Sequence, residues 1–144
     1  MTNGTRKYTI LVVDDEAALR ELAATCLNNC AVNAGLNLKV LQAYDGANAI
    51  ELMIKLQAEG RTLDGILSDW DMPNGTGLVV LEKGRELFPG ANYAIWSARW
   101  SGKRDEAMNQ VNALSALAID KPATGFEGFF KDLYDFYFPS PRKA

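Results

Sequence analysis

The chain has 144 residues, of which 48% are hydrophobic and 23% are charged, and its formal net charge is −3. This composition favours a single domain over residues 1–144, with a core from about 8 to 137, and it lacks the basic excess typical of direct nucleic-acid contact. No apolar run is long enough for a membrane span, and the run from Tyr8 to Val13 is too short for an export signal.

The sequence contains no histidine. This excludes Ser-His-Asp and Cys-His catalysis, histidine-ligated zinc and a phosphohistidine on this chain. Its two cysteines, Cys26 and Cys30, are four residues apart in a predicted helix. That spacing is poor for a disulfide, and two thiols are too few for a zinc site, so we expect two buried free thiols in a reducing compartment, the cytoplasm.

Strands and helices are predicted to alternate along the chain. Apolar runs predict five strands, at residues 8–13, 38–43, 65–69, 93–97 and 116–119. Five helices are also predicted. The first runs from Leu19 to Ala34 and is closed by Gly35, and the second follows a cap at Asp45 and ends at Gly60. The other three lie at about 77–87, 103–114 and 126–137. This alternation favours a doubly wound, flavodoxin-like parallel sheet with strand order 2-1-3-4-5.

Polar residues follow the predicted strands at their carboxyl ends. Asp14 and Asp15 follow the first strand, Asp69 ends the third, Ser97 ends the fourth and Lys121 follows the fifth. Because ligands bind at this edge of open parallel sheets, we expect the five side chains to gather there. Taken alone, Asp69 could be a metal ligand, a nucleophile towards phosphorus, or a cap for the next helix.

The gathered groups indicate phosphoryl transfer to a carboxylate. Neighbouring carboxylates repel one another, and Mg²⁺ is the natural counter-charge because it accepts few protein ligands together with water and phosphate oxygens. Lys121 supplies a point charge for a phosphoryl oxygen, and Ser97 supplies a hydroxyl donor. Asp69 is the expected nucleophile, since Asp14 and Asp15 are adjacent and better placed to bind the metal.

The sequence resembles a response-regulator receiver domain of two-component signalling, from about Tyr8 to Tyr137. The resemblance rests on four motifs in the right order, each at a strand end. They are the acidic pair Asp14-Asp15, the phosphoacceptor loop at 68–74 (Ser-Asp-Trp-Asp-Met-Pro-Asn) with Gly77, the hydroxyl-plus-small pair Ser97-Ala98, and Lys121-Pro122.

The resemblance implies that Asp69 accepts phosphate from a phosphohistidine of a sensor histidine kinase or a histidine phosphotransfer protein. It implies that Asp15, Asp69 and the backbone carbonyl of Asp71 ligate Mg²⁺, with Asp14 assisting through water. The implied activity is no more than self-phosphorylation and self-dephosphorylation at Asp69.

Further roles follow from the same resemblance. Ser97 would move to contact the phosphoryl group, and Lys121 would form a salt bridge to it, positioned by a cis bond to Pro122. Asp71 and Arg99 occupy positions at which the family tunes the lifetime of the acyl phosphate.

One position departs from the family pattern. The family usually carries an aromatic residue three positions before the lysine, where this chain has Ala118. We hypothesise that Trp100 takes over its role of reporting phosphorylation to partners.

The last helix carries more aromatic residues than one core face requires. Tyr134 and Phe138 extend its apolar stripe sideways, so this surface is a candidate for a homodimer through the last helices. Because no DNA-binding segment is apparent, the expected output is contact with a downstream protein target, without nucleic acid or membrane.

Two rival functions remain open. Asp69 and Asp71 also resemble the DxD loop of haloacid-dehalogenase-type phosphatases, although those enzymes place that loop after their first strand. The other rival is a receiver-like scaffold that acts without phosphorylation, which the altered residue Ala118 favours.

Overall fold

The computed structural model describes residues 6–72, 76–97, 109, 116–122 and 125–139. Its strands are β1 (Lys7–Val13), β2 (Asn37–Ala43), β3 (Gly65–Asp69), β4 (Asn92–Ser97) and β5 (Leu117–Asp120). The helices of this described part are α1 (Ala17–Ala34), α2 (Gly46–Ala58), α3 (Gly77–Leu87) and α4 (Phe126–Tyr137). The additional helix predicted at 103–114 lies outside the described residues, apart from Asn109.

All five strands pair in parallel, in the order β2-β1-β3-β4-β5. The predicted flavodoxin-like fold is therefore confirmed. The register aligns the carboxyl ends of neighbouring strands, with Val13 beside Ser68, Asp69 beside Trp96, and Ser97 beside Asp120. The residues that follow these ends therefore meet at one edge of the sheet.

Local sequence signals explain where α1 ends and where α2 begins. Gly35 closes α1 in the left-handed conformation, with φ of 72°, which glycine adopts at no steric cost. The Asp45 carboxylate caps α2 by accepting a hydrogen bond of 2.8 Å from the backbone N–H of Asn48. Both boundaries agree with the sequence prediction.

The central strands are covered on both faces, which explains their continuous apolar runs. Alternate residues point to opposite faces. One face packs against α2 and α3, and its core includes Leu11, Met53, Ile66, Leu81 and Tyr93. The other packs against α1 and α4, and its core includes Val12, Leu27, Leu67, Trp96 and Phe130.

The structure corrects three expectations. Both cysteines are free, but only Cys26 is buried, since Cys30 lies at the edge of the α1 stripe and is half-buried. Tyr134 is only 5% exposed and belongs to the core, so it is not available to a dimer surface. The bond between Lys121 and Pro122 is trans, the isomer that X-Pro bonds prefer by about 0.5–1 kcal/mol.

Within the described residues, no helix combines the length and apolar character that a membrane crossing requires.

Candidate functional site

Buried polar residues collect at the carboxyl edge of the sheet. Asp14 follows β1 and is fully buried, Asp69 ends β3 at 5% exposure, and Ser97 ends β4 at 2%. Lys121 follows β5, and Asp15 is exposed beside Asp14. The parallel topology therefore brings the five predicted site residues to neighbouring strand ends.

Three of these residues form a compact acidic cluster. Each residue contributes one carboxylate oxygen, and these three oxygens, from Asp14, Asp15 and Asp69, lie within 4.8 Å of one another. Two members are buried and Asp15 is exposed, so the cluster has a dry side and a side open to solvent. Three like charges at this separation repel strongly unless a cation or a proton offsets them.

Among the described residues, Lys121 supplies a positive charge to this cluster. Its ammonium nitrogen lies 2.9 Å from Oδ2 of Asp14, 3.3 Å from Oδ2 of Asp69 and 3.9 Å from Oε1 of Glu16. Burial alone would lower the pKa of Lys121, but Asp14 and Asp69 outweigh burial, and the pKa lies above its ordinary value. The amine therefore remains charged.

The surroundings of Asp69 raise the pKa of its carboxyl group. Burial is the largest cause that raises its pKa, repulsion from Asp14 adds to it, and Lys121 only partly opposes the rise. The pKa of Asp69 stands at about 7 in the absence of metal. A cation bound beside Asp69 would therefore favour its ionised form.

The acidic cluster fits a divalent metal ion. Oδ1 of Asp14 accepts a hydrogen bond of 2.9 Å from the Glu16 N–H. The buried Oδ2 makes no hydrogen bond of acceptable geometry within the described residues, although the Lys121 ammonium lies close to it. A buried carboxylate oxygen that lacks a hydrogen bond of acceptable geometry and lies beside two more carboxylates is a suitable ligand for a hard cation such as Mg²⁺.

Backbone hydrogen bonds extend the strand pairing into the loops of the site. The N–H of Trp70 donates to the Trp96 carbonyl at 3.1 Å, and that of Lys121 donates to the Ser97 carbonyl at 2.9 Å. The N–H of Gly77 donates to the Trp70 carbonyl at 3.0 Å and closes the loop after Asp69. These bonds fix the backbone directly after Asp69 and at Lys121.

Other predicted positions lie around this cluster. Asp71 is exposed two residues beyond Asp69, and Ala118 is half-buried in β5 against the core. Pro73, Arg99 and Trp100 lie outside the described residues, so the hypothesis for Trp100 stays a prediction.

Sequence reasoning missed three residues near the site. Glu16 approaches Lys121, and Arg20 donates a hydrogen bond of 2.8 Å to the Asp14 carbonyl. Trp96 lies beneath the Lys121 ammonium, which is 5.0 Å from the centroid of its ring. Arg20 could have been found as a cation in the first turn of the helix that follows the acidic pair, but Trp96 had only the signature of a buried strand residue.

Comparisons with known proteins agree with this architecture. The family model described as the response regulator receiver domain matches residues 10–124. Chemotaxis protein CheY4 of Vibrio cholerae is similar in fold, with a TM-score of 0.65 and 22% identity over 89% of this chain and 97% of that one.

Two further solved structures share the fold. A CheY-like receiver domain protein from Methanospirillum hungatei JF-1 gives a TM-score of 0.69 at 17% identity, over 92% of this chain and 94% of that chain. A receiver domain protein from Clostridium thermocellum gives a TM-score of 0.67 at 19% identity, over 88% of this chain and 93% of that chain. With the family match across most of its length and the acidic cluster at the expected strand ends, the chain belongs to the response-regulator receiver domains of two-component signalling.

Proposed function

We propose that Asp69 accepts a phosphoryl group from the phosphohistidine of a partner kinase or phosphotransfer protein, in a reaction that depends on Mg²⁺. One observation carries this proposal: the Asp69 carboxylate ends the central strand inside an acidic cluster and forms an ion pair with Lys121. The phosphorylated domain would then change its binding to a downstream protein target.

The reaction balances without any further reagent. An oxygen of the ionised Asp69 carboxylate forms a bond to phosphorus, and the P–N bond of the donor phosphohistidine breaks. The electron pair of that bond goes to the imidazole, which takes a proton from solvent. Since these 144 residues contain no histidine, the phosphohistidine lies outside them.

Asp14, Asp15 and Asp69 are the residues that would hold Mg²⁺, and we propose the backbone carbonyl of Asp71 as a further ligand. When bound, the metal would neutralise charge on the transferring group. The chain's own part is to position the nucleophile and to supply Lys121 as a second positive charge towards the phosphoryl oxygens. Ser97, buried at the neighbouring strand end, would donate its hydroxyl to the same group.

Loss of the phosphoryl group would occur by hydrolysis at Asp69, so the proposed activity is limited to self-phosphorylation and self-dephosphorylation. Asp71 is exposed next to the site, where a carboxylate would affect an attacking water. We propose that Asp71 and Arg99 set the lifetime of the phosphorylated state.

The rival phosphatase function has less support. In this chain Asp69 ends the third strand in sequence, and an acidic pair after β1 completes its cluster. The scaffold alternative is opposed by the combination of an acidic cluster with a buried, ion-paired lysine.

We further propose that the chain acts as one receiver domain in the cytoplasm, which its two free thiols support.

Intact-mass spectrometry after incubation with acetyl phosphate tests the proposal. We expect a gain of one phosphoryl group that requires Mg²⁺ and is absent from Asp69→Asn. Asp71→Asn is the matched control, because it removes a nearby carboxylate outside the buried cluster, and it should still gain the group. Free phosphate released over many rapid turnovers would favour the phosphatase instead. No adduct, with Mg²⁺ binding verified, would favour the scaffold.

A further inference from the structure

Trp96 occupies an unusual place for a core residue. It immediately precedes Ser97 on β4, pairs in register with Asp69 and is fully buried. The Lys121 ammonium lies over its ring, 5.0 Å from the centroid. This distance is within the range of about 6 Å over which a cation is attracted to an aromatic face.

Rings from α4 surround the indole on its other sides. Phe129 stacks on it, with ring centroids 5.6 Å apart and planes 16° apart. Phe130 meets it edge-on at 5.6 Å, and Phe130 in turn contacts the Phe129 ring at 5.1 Å. Because two rings pack against the indole, its plane is fixed relative to Lys121.

Core packing alone does not account for tryptophan at this position. Its indole Nε1 is buried and has no hydrogen-bond partner within the described residues. An unsatisfied buried donor destabilises the folded state, and an aliphatic or phenylalanine side chain would avoid that cost. The contact with Lys121 is an interaction that an aliphatic residue cannot provide.

We propose that Trp96 is a positioning residue for Lys121, and that its indole face keeps the ammonium beside Asp69. Phe129 and Phe130 orient the indole, so the last helix contributes to the placement of the site cation. This inference rests on the proposed function only where it concerns the phosphoryl group. The contact between Lys121 and Trp96 can be tested without phosphorylation.

The Lys121 side chain is long and flexible. Lysine has a four-carbon stem and no fixed donor geometry, so its ammonium needs contacts that select one position. Asp14 and Asp69 supply two such contacts, but a second cation in the acidic cluster would repel Lys121 and compete for both carboxylates. The indole attracts the ammonium through its ring quadrupole and does not depend on those carboxylates.

The first test is a nuclear magnetic resonance measurement on the full chain with ¹³C-labelled lysine. A methylene group next to an ammonium over an indole face is shifted upfield by the ring current. We expect one such resonance, absent from Lys121→Met, shifted towards ordinary lysine values in Trp96→Leu and intermediate in Trp96→Phe. Tyr134→Leu, which removes a buried ring of the same core that is not paired with Trp96, should leave it unchanged.

The second test is a double-mutant cycle on the rate of phosphorylation by acetyl phosphate at saturating Mg²⁺. Trp96→Leu should slow the reaction about tenfold, the effect of losing part of a desolvated cation–π contact. In a Lys121→Met background the same substitution should have almost no effect, because the group that Trp96 positions is gone. Trp96→Phe should recover part of the rate.

The outcomes separate this inference from the proposed function. Unchanged lysine resonances in Trp96→Leu, or equal rate effects of that substitution in both backgrounds, would overturn the positioning role even if Asp69 is phosphorylated. A wild-type chain that takes up no phosphate would overturn the proposed function, while the lysine resonances would still decide whether Lys121 contacts the Trp96 ring. Free energies of unfolding measured for Trp96→Leu and Tyr134→Leu identify any part of the rate loss that is due to weaker folding.

Discussion

Nζ of Lys121 lies 3.3 Å from Oδ2 of Asp69, so the proposed phosphoacceptor forms an ion pair with the same cation that would later contact its phosphoryl group. Both side chains are only 7% exposed. Lys121 therefore offsets buried negative charge in the unphosphorylated protein, and under the proposed function it is already placed to bind the phosphoryl oxygens afterwards.

Replacing Lys121 by methionine should destabilise the metal-free protein. Asp14 and Asp69 would keep their buried positions without the ammonium, and removing one partner of a buried ion pair costs about 3–5 kcal/mol. Chemical denaturation at pH 8 measures this cost, and Mg²⁺ should reverse much of it. Lys131→Met, which removes a lysine from an exposed pair with Asp135, is the matched control and should have little effect. Equal losses in both variants would contradict the account.

The stability of the metal-free protein should fall as pH rises between about 4 and 7. The pKa of Asp69 is raised from its ordinary value of 3.8 to about 7 by burial and by Asp14. The folded state therefore binds more protons than the unfolded state in this window, and the free energy of unfolding decreases with pH. Thermal unfolding in the presence of a chelator measures the slope.

The affinity for Mg²⁺, in contrast, should increase as pH rises. The metal competes with the proton on Asp69, so its dissociation constant should decrease as pH rises towards and through 7.

Asp69→Asn should reduce the pH slope of stability in the metal-free protein. Identical slopes for the wild type and this variant would show that Asp69 does not titrate in this range.

Substitution of Gly77 by alanine should disturb the phosphoacceptor loop. An added Cβ would lie 2.5 Å from the Asp69 carbonyl oxygen and 2.8 Å from Cδ1 of Ile95. Such overpacking costs about 1–3 kcal/mol, and the resulting shift of Asp69 should slow phosphorylation as well. Gly90→Ala is the control, because nothing lies within 4 Å of its added Cβ. A Gly77→Ala variant with wild-type stability and rate would refute this prediction.

The fluorescence of Trp70 should change on titration with Mg²⁺. Trp70 follows Asp69 directly and is half-buried, with its backbone tied to β4 through the Trp96 carbonyl. A cation bound beside Asp69 would alter the electric field at this indole. The change should be smaller in Trp70→Phe, where the Trp96 signal remains, and should persist in Trp100→Phe. A flat titration of the wild type would count against a metal site next to Trp70.

The positions of the main elements could be predicted because local signals determine them. Apolar runs locate the strands, Gly35 ends α1 through its left-handed backbone, and Asp45 caps α2. The gathering of Asp14, Asp69 and Lys121 also followed from sequence, because parallel strands bring their carboxyl ends to one edge.

Side-chain contacts between distant segments could not be predicted in the same way. The pairing of Lys121 with Trp96 depends on the register of β4 and β5 and on how the α4 rings orient the indole. Burial at the edges of a helix stripe was equally uncertain, since it depends on the neighbouring helix. Cys30 is therefore more exposed than expected and Tyr134 less.

The most direct measurement of the central claim is the location of the phosphoryl group on the chain. After brief reaction with acetyl phosphate and Mg²⁺, borohydride reduces an aspartyl phosphate to homoserine, and peptide mass spectrometry identifies the modified residue. We predict homoserine at position 69, with aspartate retained at positions 14, 15 and 71. Modification at another aspartate, with position 69 unchanged, would contradict the assignment of Asp69 as the phosphoacceptor.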